Sequence, residues 1–435
     1  MKKSTYQKPI RYHNIKEIIY RISKEQGRTA AFSQKQNGKY HAIPFSRLKN
    51  NIQSLGVSLI RRGLGGKKII LVEENSYPYC LTLLTALCGL GTVIPVSKSI
   101  SDAELSHIAK STSAAAIIYP KNFESKTASV PKKLQKINFD ELLRLCDIGL
   151  TFSDRELEEF DKVSIDIDTT AIISFVRAKD GVKRGIMISQ RNLCSAIEGL
   201  SSAIPYEKDG KTLAILPSYS LFETVIGILF PISQGCTVYF CDDTKQIISS
   251  AKETDPSTIV CSARFVEKLY SKIQSNIEKR DISKKVANLI KITDAIKVPT
   301  LRINAKRKIF ADIHGIFGES ATDFIVSGIS PDSTAVSGLR ALGFSITCVY
   351  GIPECTSIIA ITDKQGDLRV IPTGEIKISE KAKGRIGNIY YRGDNVMIGY
   401  YKEESINKSI KINGWIDTAS VGSIESDEIL TILKK

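Results

Sequence analysis

The sequence predicts an α/β fold in which a mostly parallel sheet is covered by helices on both faces, with a small, distorted β-barrel near the C-terminal end. Amphipathic helical patterns alternate with short apolar strand patterns along most of the chain. After about residue 358, short strands and turns replace this alternation. The 435 residues are enough for two or three packed units.

The alternation begins near the N-terminus. Ile15, Ile18, Ile19 and Ile22 recur at helical spacing in a pattern that ends at Gly27. RLKNNIQSLGVSLIRRGL is a second amphipathic pattern, and KKIILVEEN is a compact apolar run of the kind found in strands buried on both faces. AELSHIAKSTSA and AAIIYP then predict another helix and another buried strand.

The same pattern continues to the C-terminal region. Strands are predicted in TAIISFV, KTLAILP, TVYF, STIVCS and DFIVSG, and helices in RNLCSAIEGLSSAI, LFETVIGILFPISQG and RFVEKLYSKIQSNI. A basic helical stretch, centred on residues 284–307, precedes DFIVSG. The final short strands are SIIAITD, LRVIP, GEIKIS and GNIYYRG.

One uncharged stretch, Asn75 to Ser97, is long enough to span a bilayer. Because it contains Pro78, Gly89 and Gly91 and ends in the strand-like GTVIPV, we expect a helix, a turn and a buried strand instead. No apolar stretch follows the basic N-terminus, so we expect no secretory signal.

The cysteine and histidine content and the net charge limit which cofactors and partners are expected. The nine cysteines form no C-x-x-C pair and there are only four histidines, which predicts buried thiols in a reducing cytoplasm and no structural zinc. The net charge of +15 is spread along the chain without interleaved aromatic residues, so there is no specific nucleic-acid signal. A lysine-rich surface is the simpler interpretation, and an anionic membrane surface stays open as a partner.

Four loops follow predicted strands: VRAKDGVKRG, PSYSLFE, SGISPD and YGIPEC. Ligands of α/β sheets usually bind beyond the carboxyl ends of the strands, so these loops are expected to border one crevice.

These loops and their flanking segments resemble a known family. KKIILVEENSYPYCLTLLTALCGLGTVIPV, LAILPSYSLFETVIGILFPISQGCTVYF, PSTIVCSARFVEKLYSKI, FIVSGISPD, VYGIPEC and GNIYYRGDNVMIGYYKEE…NGWIDTASVG occur in the family's order. The chain resembles the large N-terminal domain of the adenylate-forming, AMP-binding acyl-CoA synthetases, and is most similar to long-chain fatty acid CoA ligases.

The resemblance implies a fold, a chemistry and ligands. It implies two helix-covered, mostly parallel sheets packed as one large domain, with subdomains at residues 1–170, 171–345 and 346–435. Members join a carboxylate to ATP, with magnesium, and pass the acyl group to coenzyme A. A fatty acyl ligand and ATP or AMP are therefore the expected ligands.

The phosphate loop departs from the family's S-G-T-T-G-x-P-K-G pattern. The corresponding stretch runs from Arg177 to Gly185; Gly181 and Gly185 match, and Arg184 keeps the charge of the family's lysine. The departing positions are Arg177, Ala178, Lys179, Asp180 and Lys183. Long side chains obstruct the backbone approach that glycines allow, and Asp180 has the same sign of charge as phosphate.

The adenylate motifs are also incomplete. In YGIPEC, Tyr350, Gly351 and Glu354 match, with Glu354 as the expected magnesium ligand, but Pro353 stands for a threonine. In GWIDTASVG, Ser420 stands for the ribose-binding aspartate. Other departures are Ser220 and Gln190 in place of histidines, whereas Glu223 is retained.

The chain stops where the family's hinge would begin, so we expect the C-terminal lid domain and its lysine to be absent. These departures favour a catalytically impaired or inactive cytoplasmic protein that retains at most acyl or weak nucleotide binding. Two alternatives stay open. One is an active acyl-CoA ligase with a divergent phosphate loop. The other is a non-enzymatic interaction protein that docks through the basic stretch Lys284 to Arg307, either on anionic lipid, peripherally to a membrane, or on another macromolecule.

Overall fold

The computed structural model describes residues 10–178, 181–206, 209–241, 244–318, 320, 323–328, 331–379, 386–425 and 429–433. The predicted α/β class is confirmed: two mixed sheets with covering helices form the body, and a curled antiparallel half-barrel lies near the C-terminal end. The predicted small barrel is therefore open on one side.

Most of the strands follow the apolar and alternating runs of the sequence. In chain order they are β1 Ala30–Gln36, β2 Lys39–Pro44, β3 Lys67–Val72, β4 Gly91–Val96, β5 Ala116–Tyr119, β6 Gln135–Asn138, β7 Thr170–Arg177, β8 Lys183–Ser189, β9 Lys211–Ala214, β10 Thr237–Phe240, β11 Thr258–Ser262, β12 Asp323–Ser327, β13 Ser345–Tyr350, β14 Ala360–Thr362, β15 Leu368–Val370, β16 Gly374–Ile378, β17 Ile386–Gly393, β18 Gly399–Tyr400, β19 Lys411–Ile412, β20 Trp415–Ile424 and β21 Leu430–Leu433.

The helices lie between the strands, as the alternation predicts. In chain order they are α1 Ile15–Glu25, α2 Phe45–Arg61, α3 Tyr77–Thr85, α4 Asp102–Thr112, α5 Phe139–Gly149, α6 Asp154–Asp161, α7 Gln190–Ala203, α8 Phe230–Ser233, α9 Ile247–Thr254, α10 Ala263–Lys279, α11 Ser283–Asp294, α12 Pro299–Ile309, α13 Ala311–His314, α14 Ser333–Ala341 and α15 Glu404–Ile410. Residues Ala86–Leu90 and Glu223–Leu229 form π-helical turns.

Strand pairing defines three sheets. The seven-stranded sheet has the order β18-β8-β7-β4-β3-β5-β6, with β8 and β18 antiparallel at one edge. The nine-stranded sheet has the order β15-β14-β13-β12-β11-β9-β10-β1-β2, parallel except at both ends. The half-barrel is antiparallel, in the order β16-β17-β20-β19 with β21 also paired to β20.

A shared apolar core joins these sheets. Its buried side chains include Phe32 of the nine-stranded sheet, Ile69 of the seven-stranded sheet and Tyr391 of the half-barrel, together with Leu55 and Leu193 from helices α2 and α7. Burial of this much apolar surface is the main stabilising contribution to the fold. The subdomain boundaries at residues 170 and 345 stay a prediction, although strand pairing crosses them.

The uncharged stretch from Asn75 to Ser97 folds as the sequence predicts. It forms helix α3, the π-helical turn and the buried strand β4, with Gly89 at a φ of +125° where the chain reverses. Within the described residues, no helix is both long and apolar enough to cross a membrane.

All nine cysteines are buried as thiols, in agreement with their apolar surroundings. Burial raises the pKa of Cys88 and Cys146 to about 12, which makes both unreactive at neutral pH. The reducing compartment itself stays a prediction.

Candidate functional site

The predicted phosphate loop is the turn of a β-hairpin. The sequence predicts no strand between this loop and the next helix, but strand β8 lies there, and helix α7 begins only at Gln190. The reason is that residues 183–189 pair antiparallel with β7, from Arg177 opposite Lys183 onward, and bury Ile186 and Ile188. The turn itself therefore lies between the end of β7 at Arg177 and the start of β8 at Lys183.

Internal hydrogen bonds occupy backbone groups of the turn residues that the structure describes. The Ala178 N–H donates to the Val182 oxygen at 2.8 Å, and the Gly181 N–H donates to the Ala178 oxygen at 2.9 Å. Gly181 has a φ of +80°, a conformation that favours glycine. Arg177 closes the turn by donating from Nη1 to the Gly181 oxygen at 2.9 Å. The two remaining predicted positions, Lys179 and Asp180, lie outside the described residues.

The cations that follow the turn contact protein groups. Lys183 forms an ion pair with Glu104 of helix α4. The Arg184 side chain is only 11% exposed, and its Nε lies 3.6 Å from Glu403 Oε1. Its guanidinium also lies over the Tyr400 ring, 5.8 Å from the ring centroid. These contacts direct both charges toward the protein itself.

Gly185 is required by close packing. A Cβ at this position would lie 2.8 Å from Ile173 Cγ2 and 3.3 Å from Tyr401 Cβ. The match of Gly185 to the family pattern therefore has a purely steric explanation here.

The segment from Tyr350 to Cys355 leaves strand β13 and turns through Pro353. A Cβ at Gly351 would lie 2.2 Å from the Ser357 backbone oxygen, so only glycine fits. The buried side chain of Asn395 holds the turn, because its Nδ2 donates to the Cys355 and Ile358 oxygens at 2.9 and 2.6 Å. Asn395 is not among the predicted site residues, and its only signal in the sequence is its place in the NVMIGYY segment.

Glu354 is buried, at 5% exposure, and is tied to Tyr400. The Tyr400 hydroxyl donates to Glu354 Oε1 at 2.7 Å, and the Met397 N–H donates to the Glu354 backbone oxygen at 2.8 Å. Tyr400 therefore connects Glu354 to Arg184, so the structure brings these two predicted site residues together. Tyr400 is likewise not among the predicted site residues, and its only signal in the sequence is its place in the GNIYYRGDNVMIGYYKEE segment.

Tyr350 and Ser420 meet at a second cluster. The Tyr350 hydroxyl donates to Thr418 Oγ1 at 3.3 Å, and Thr418 Oγ1 donates to the Ile389 oxygen at 2.9 Å. Burial raises the pKa of Tyr350, although hydrogen bonds with Ser420 and Thr418 oppose this rise. Beside them, Asp417 Oδ1 accepts from the Ala419 N–H at 2.8 Å.

The other motif positions are structural. Gln190 is buried and bridges two segments, since its side chain accepts from the Ile15 N–H at 3.1 Å and donates to the Leu87 oxygen at 2.7 Å. Glu223 is fully buried, and its burial raises its pKa well above the usual value. Ser220 Oγ accepts from the Glu223 N–H at 3.1 Å.

A family model described as AMP-binding enzyme matches residues 20–401. The chain belongs to the AMP-binding enzyme family. Among its relatives, the long-chain-fatty-acid–CoA ligase ACSBG2 of Mus musculus is 21% identical over 96% of this chain and 69% of its own length. The long-chain-fatty-acid–CoA ligase FadD15 of Mycobacterium tuberculosis is 20% identical over 97% of this chain and 74% of its own length.

Solved structures share the fold of this AMP-binding family member. The N-terminal domain of FACL13 from Mycobacterium tuberculosis superposes with a TM-score of 0.77 at 14% identity, covering 97% of this chain and 100% of that domain. The fatty acyl CoA synthetase from Mycobacterium tuberculosis gives a TM-score of 0.75 at 14% identity, with 97% and 78% coverage. The resemblance stated from the motifs is confirmed.

Family membership implies an adenine nucleotide and usually magnesium, but the described site residues fit them poorly. Pro353 offers neither a hydroxyl nor an N–H, and Ser420 presents one hydroxyl where a carboxylate would accept two ribose hydrogen bonds. Glu354 retains a carboxylate for magnesium, already hydrogen-bonded to Tyr400. Across the described residues, no three His, Cys, Asp or Glu side chains cluster as a metal site.

Proposed function

We propose that this chain is a catalytically impaired AMP-binding protein, related to long-chain acyl-CoA ligases, that binds at most an acyl chain or, weakly, a nucleotide. The observation that carries the proposal is that the three described cations of the hairpin already contact groups of the protein. Arg177 closes its own turn, Lys183 pairs with Glu104, and Arg184 packs between Glu403 and Tyr400.

These contacts differ in how easily phosphate would replace them. The Lys183–Glu104 pair is exposed, and such pairs are worth roughly 0–1 kcal/mol, so Lys183 is readily released. Arg184 is largely buried and would have to leave both Glu403 and the Tyr400 ring. The N–H groups of Ala178 and Gly181 already donate within the turn. The described part of the hairpin therefore supplies little of the preorganised cradle that phosphate binding requires.

Calorimetric titration with ATP and magnesium, and separately with AMP, tests this function. We expect no measurable heat for the unmodified protein and no change in Glu354→Ala. The double substitution Pro353→Thr with Ser420→Asp restores a hydroxyl and a ribose acceptor, and is expected to strengthen AMP binding. The proposal is overturned if the unmodified protein binds ATP or AMP in the micromolar range, and if Glu354→Ala abolishes this binding while the surface control Glu158→Ala does not.

The second candidate is an active ligase with a divergent loop. The retained Tyr350, Gly351 and Glu354, together with the contact chain from Glu354 through Tyr400 to Arg184, favour it. Pyrophosphate release from ATP, magnesium and palmitate would support this candidate.

We further propose a reducing, cytoplasmic location, where nine buried thiols persist.

A further inference from the structure

The segment formed by residues 283–309, here called the basic helical pair, comprises α11, α12 and their connection. It contains eight Lys and Arg residues and a single acidic residue, Asp294. Asp294 is paired internally with Lys306 at 2.7 Å. Five lysines of the pair are exposed: Lys284, Lys285, Lys291, Lys297 and Lys308. The surface of the pair is therefore strongly cationic.

The same segment exposes large aliphatic side chains. Ile292 is 63% exposed, Val298 48% and Leu301 59%. Ile303 and Ile309 add two more, at 40% and 41%. Five such residues within eighteen positions form a concentration that isolated surface hydrophobics do not explain.

The arrangement places the apolar residues around the connection between the helices. Ile292 lies in the last turn of α11, Val298 directly precedes α12, and Leu301 lies in the first turn of α12. Lys291 and Lys297 are their immediate neighbours in sequence. Apolar groups and flexible cations thus alternate at one end of the pair.

The opposite side of the pair attaches it to the body. Val286, Leu289 and Ile290 of α11 are partly buried against the apolar cluster that includes Ile277 and Phe310. Helices α11 and α12 also pack against each other. These contacts attach the pair to the region of the nine-stranded sheet. The exposed end of the pair therefore projects from a folded part of the protein.

We propose that the basic helical pair docks on an anionic lipid surface. Ile292, Val298 and Leu301 enter the boundary between headgroups and acyl chains, while the flanking lysines bind lipid phosphates and carboxylates. A nucleic acid would satisfy the lysines but not the exposed aliphatic groups, so charge and apolarity together favour a membrane. The proposal does not depend on whether the nucleotide site is active.

Flotation with vesicles of phosphatidylcholine alone, or containing about 30% phosphatidylserine, tests the proposal. We expect more than about tenfold stronger binding to the anionic vesicles, lost near 1 M salt, where charges are screened over about 3 Å. Two triple variants separate the contributions: Ile292→Asn, Val298→Asn and Leu301→Asn; or Lys285→Glu, Lys291→Glu and Lys297→Glu. Each is expected to reduce binding about tenfold or more.

Matched controls use equally exposed positions elsewhere. They are Ile148→Asn, Leu150→Asn and Ile412→Asn for the apolar set, and Lys110→Glu, Lys132→Glu and Lys133→Glu for the charged set. Circular dichroism verifies that each variant is folded. The proposal is overturned if the protein binds both vesicle types equally or binds neither, or if the control variants reduce binding as much as the test variants. It is also overturned if the protein binds heparin as strongly as it binds anionic vesicles and the apolar triple variant leaves heparin binding unchanged.

Discussion

At the residue scale, the hydroxyl of Tyr400 determines the environment of Glu354, a retained position of the family motif. Glu354 would be a lone buried carboxylate without the hydrogen bond from Tyr400 at 2.7 Å. Burial of a charged group is tolerated only when it is paired or hydrogen-bonded. The hydroxyl of Tyr400 therefore contributes to stability as well as to the position of Glu354.

Removal of this hydroxyl in Tyr400→Phe is expected to lower the free energy of unfolding by about 2 kcal/mol, because Glu354 loses a donor in a buried site. Urea denaturation measures the loss. Tyr401→Phe is the matched control, since it alters the neighbouring ring in the same way. Equal stability of the two variants would contradict the assigned role of Tyr400.

Glu223 predicts a pH dependence whose sign follows from its raised pKa. The unfolded carboxyl ionises near pH 4.3, whereas the buried one stays protonated to higher pH. Below pH 4.3, Glu223 is protonated in both the folded and the unfolded protein. As the pH rises from there toward the folded pKa, only the unfolded protein loses this proton. The free energy of unfolding therefore falls, by up to about 1.4 kcal/mol per pH unit.

Glu223→Gln keeps a neutral side chain at every pH. Its stability relative to the unmodified protein is therefore expected to increase between pH 5 and pH 8, as measured by urea unfolding. Glu159→Gln, at an exposed position, should show no such trend. Parallel pH curves for Glu223→Gln and the unmodified protein would exclude a buried neutral acid.

At the element scale, the segment from Tyr350 to Ile359 shows how a turn is held by a distant side chain. Asn395 donates to two carbonyls of this segment, and its own backbone oxygen accepts from Thr356 Oγ1 at 2.6 Å. Its Oδ1 accepts from the Tyr391 hydroxyl at 2.8 Å. The half-barrel and the end of β13 are thereby connected.

Asn395→Ala is expected to destabilise the protein by about 2–4 kcal/mol, because it leaves two buried carbonyls and the Tyr391 hydroxyl without their partner. Thermal and urea unfolding measure this effect. Asn388→Ala, at an exposed position of β17, is the control and is expected to change stability by less than about 0.5 kcal/mol. A loss as small as that of the control would show that the network is dispensable.

The element scale also marks the limit of sequence reasoning. Alternating helices and strands were predictable because apolar periodicity reports burial directly, as in KKIILVEEN and AAIIYP. The hairpin between β7 and β8 was not predictable. Strand β8 begins with the charged residues Lys183 and Arg184, and its apolar residues begin only at Ile186, so its first part does not have the pattern of a buried strand. Long-range pairing with β7 decides that segment.

At the scale of the whole molecule, one apolar core spans both sheets and the half-barrel. Side chains such as Ile389, Tyr391 and Ile416 of the half-barrel are buried in the same cluster as Leu193 of helix α7. Loss of the half-barrel would expose the core of the body. The three sheets are therefore expected to unfold together.

This coupling predicts a single cooperative urea transition. The one tryptophan, Trp415, lies in the half-barrel and reports it by fluorescence, whereas far-ultraviolet circular dichroism reports mainly the helices of the body. The two midpoints are expected to coincide. An earlier fluorescence transition would show that the half-barrel unfolds independently.

The sequence by itself determined the fold class, the place of most helices and strands, and the family, because apolar periodicity and ordered motifs are local properties of the chain. It also identified Pro353 and Ser420, whose chemistry depends on residue type alone. Only the tertiary structure decided what the retained and altered charges contact. Arg184 meets Glu403 and Tyr400, and Glu354 meets Tyr400, through segments far apart in sequence. Contacts of that kind depend on how strands pair and pack, which no local pattern encodes.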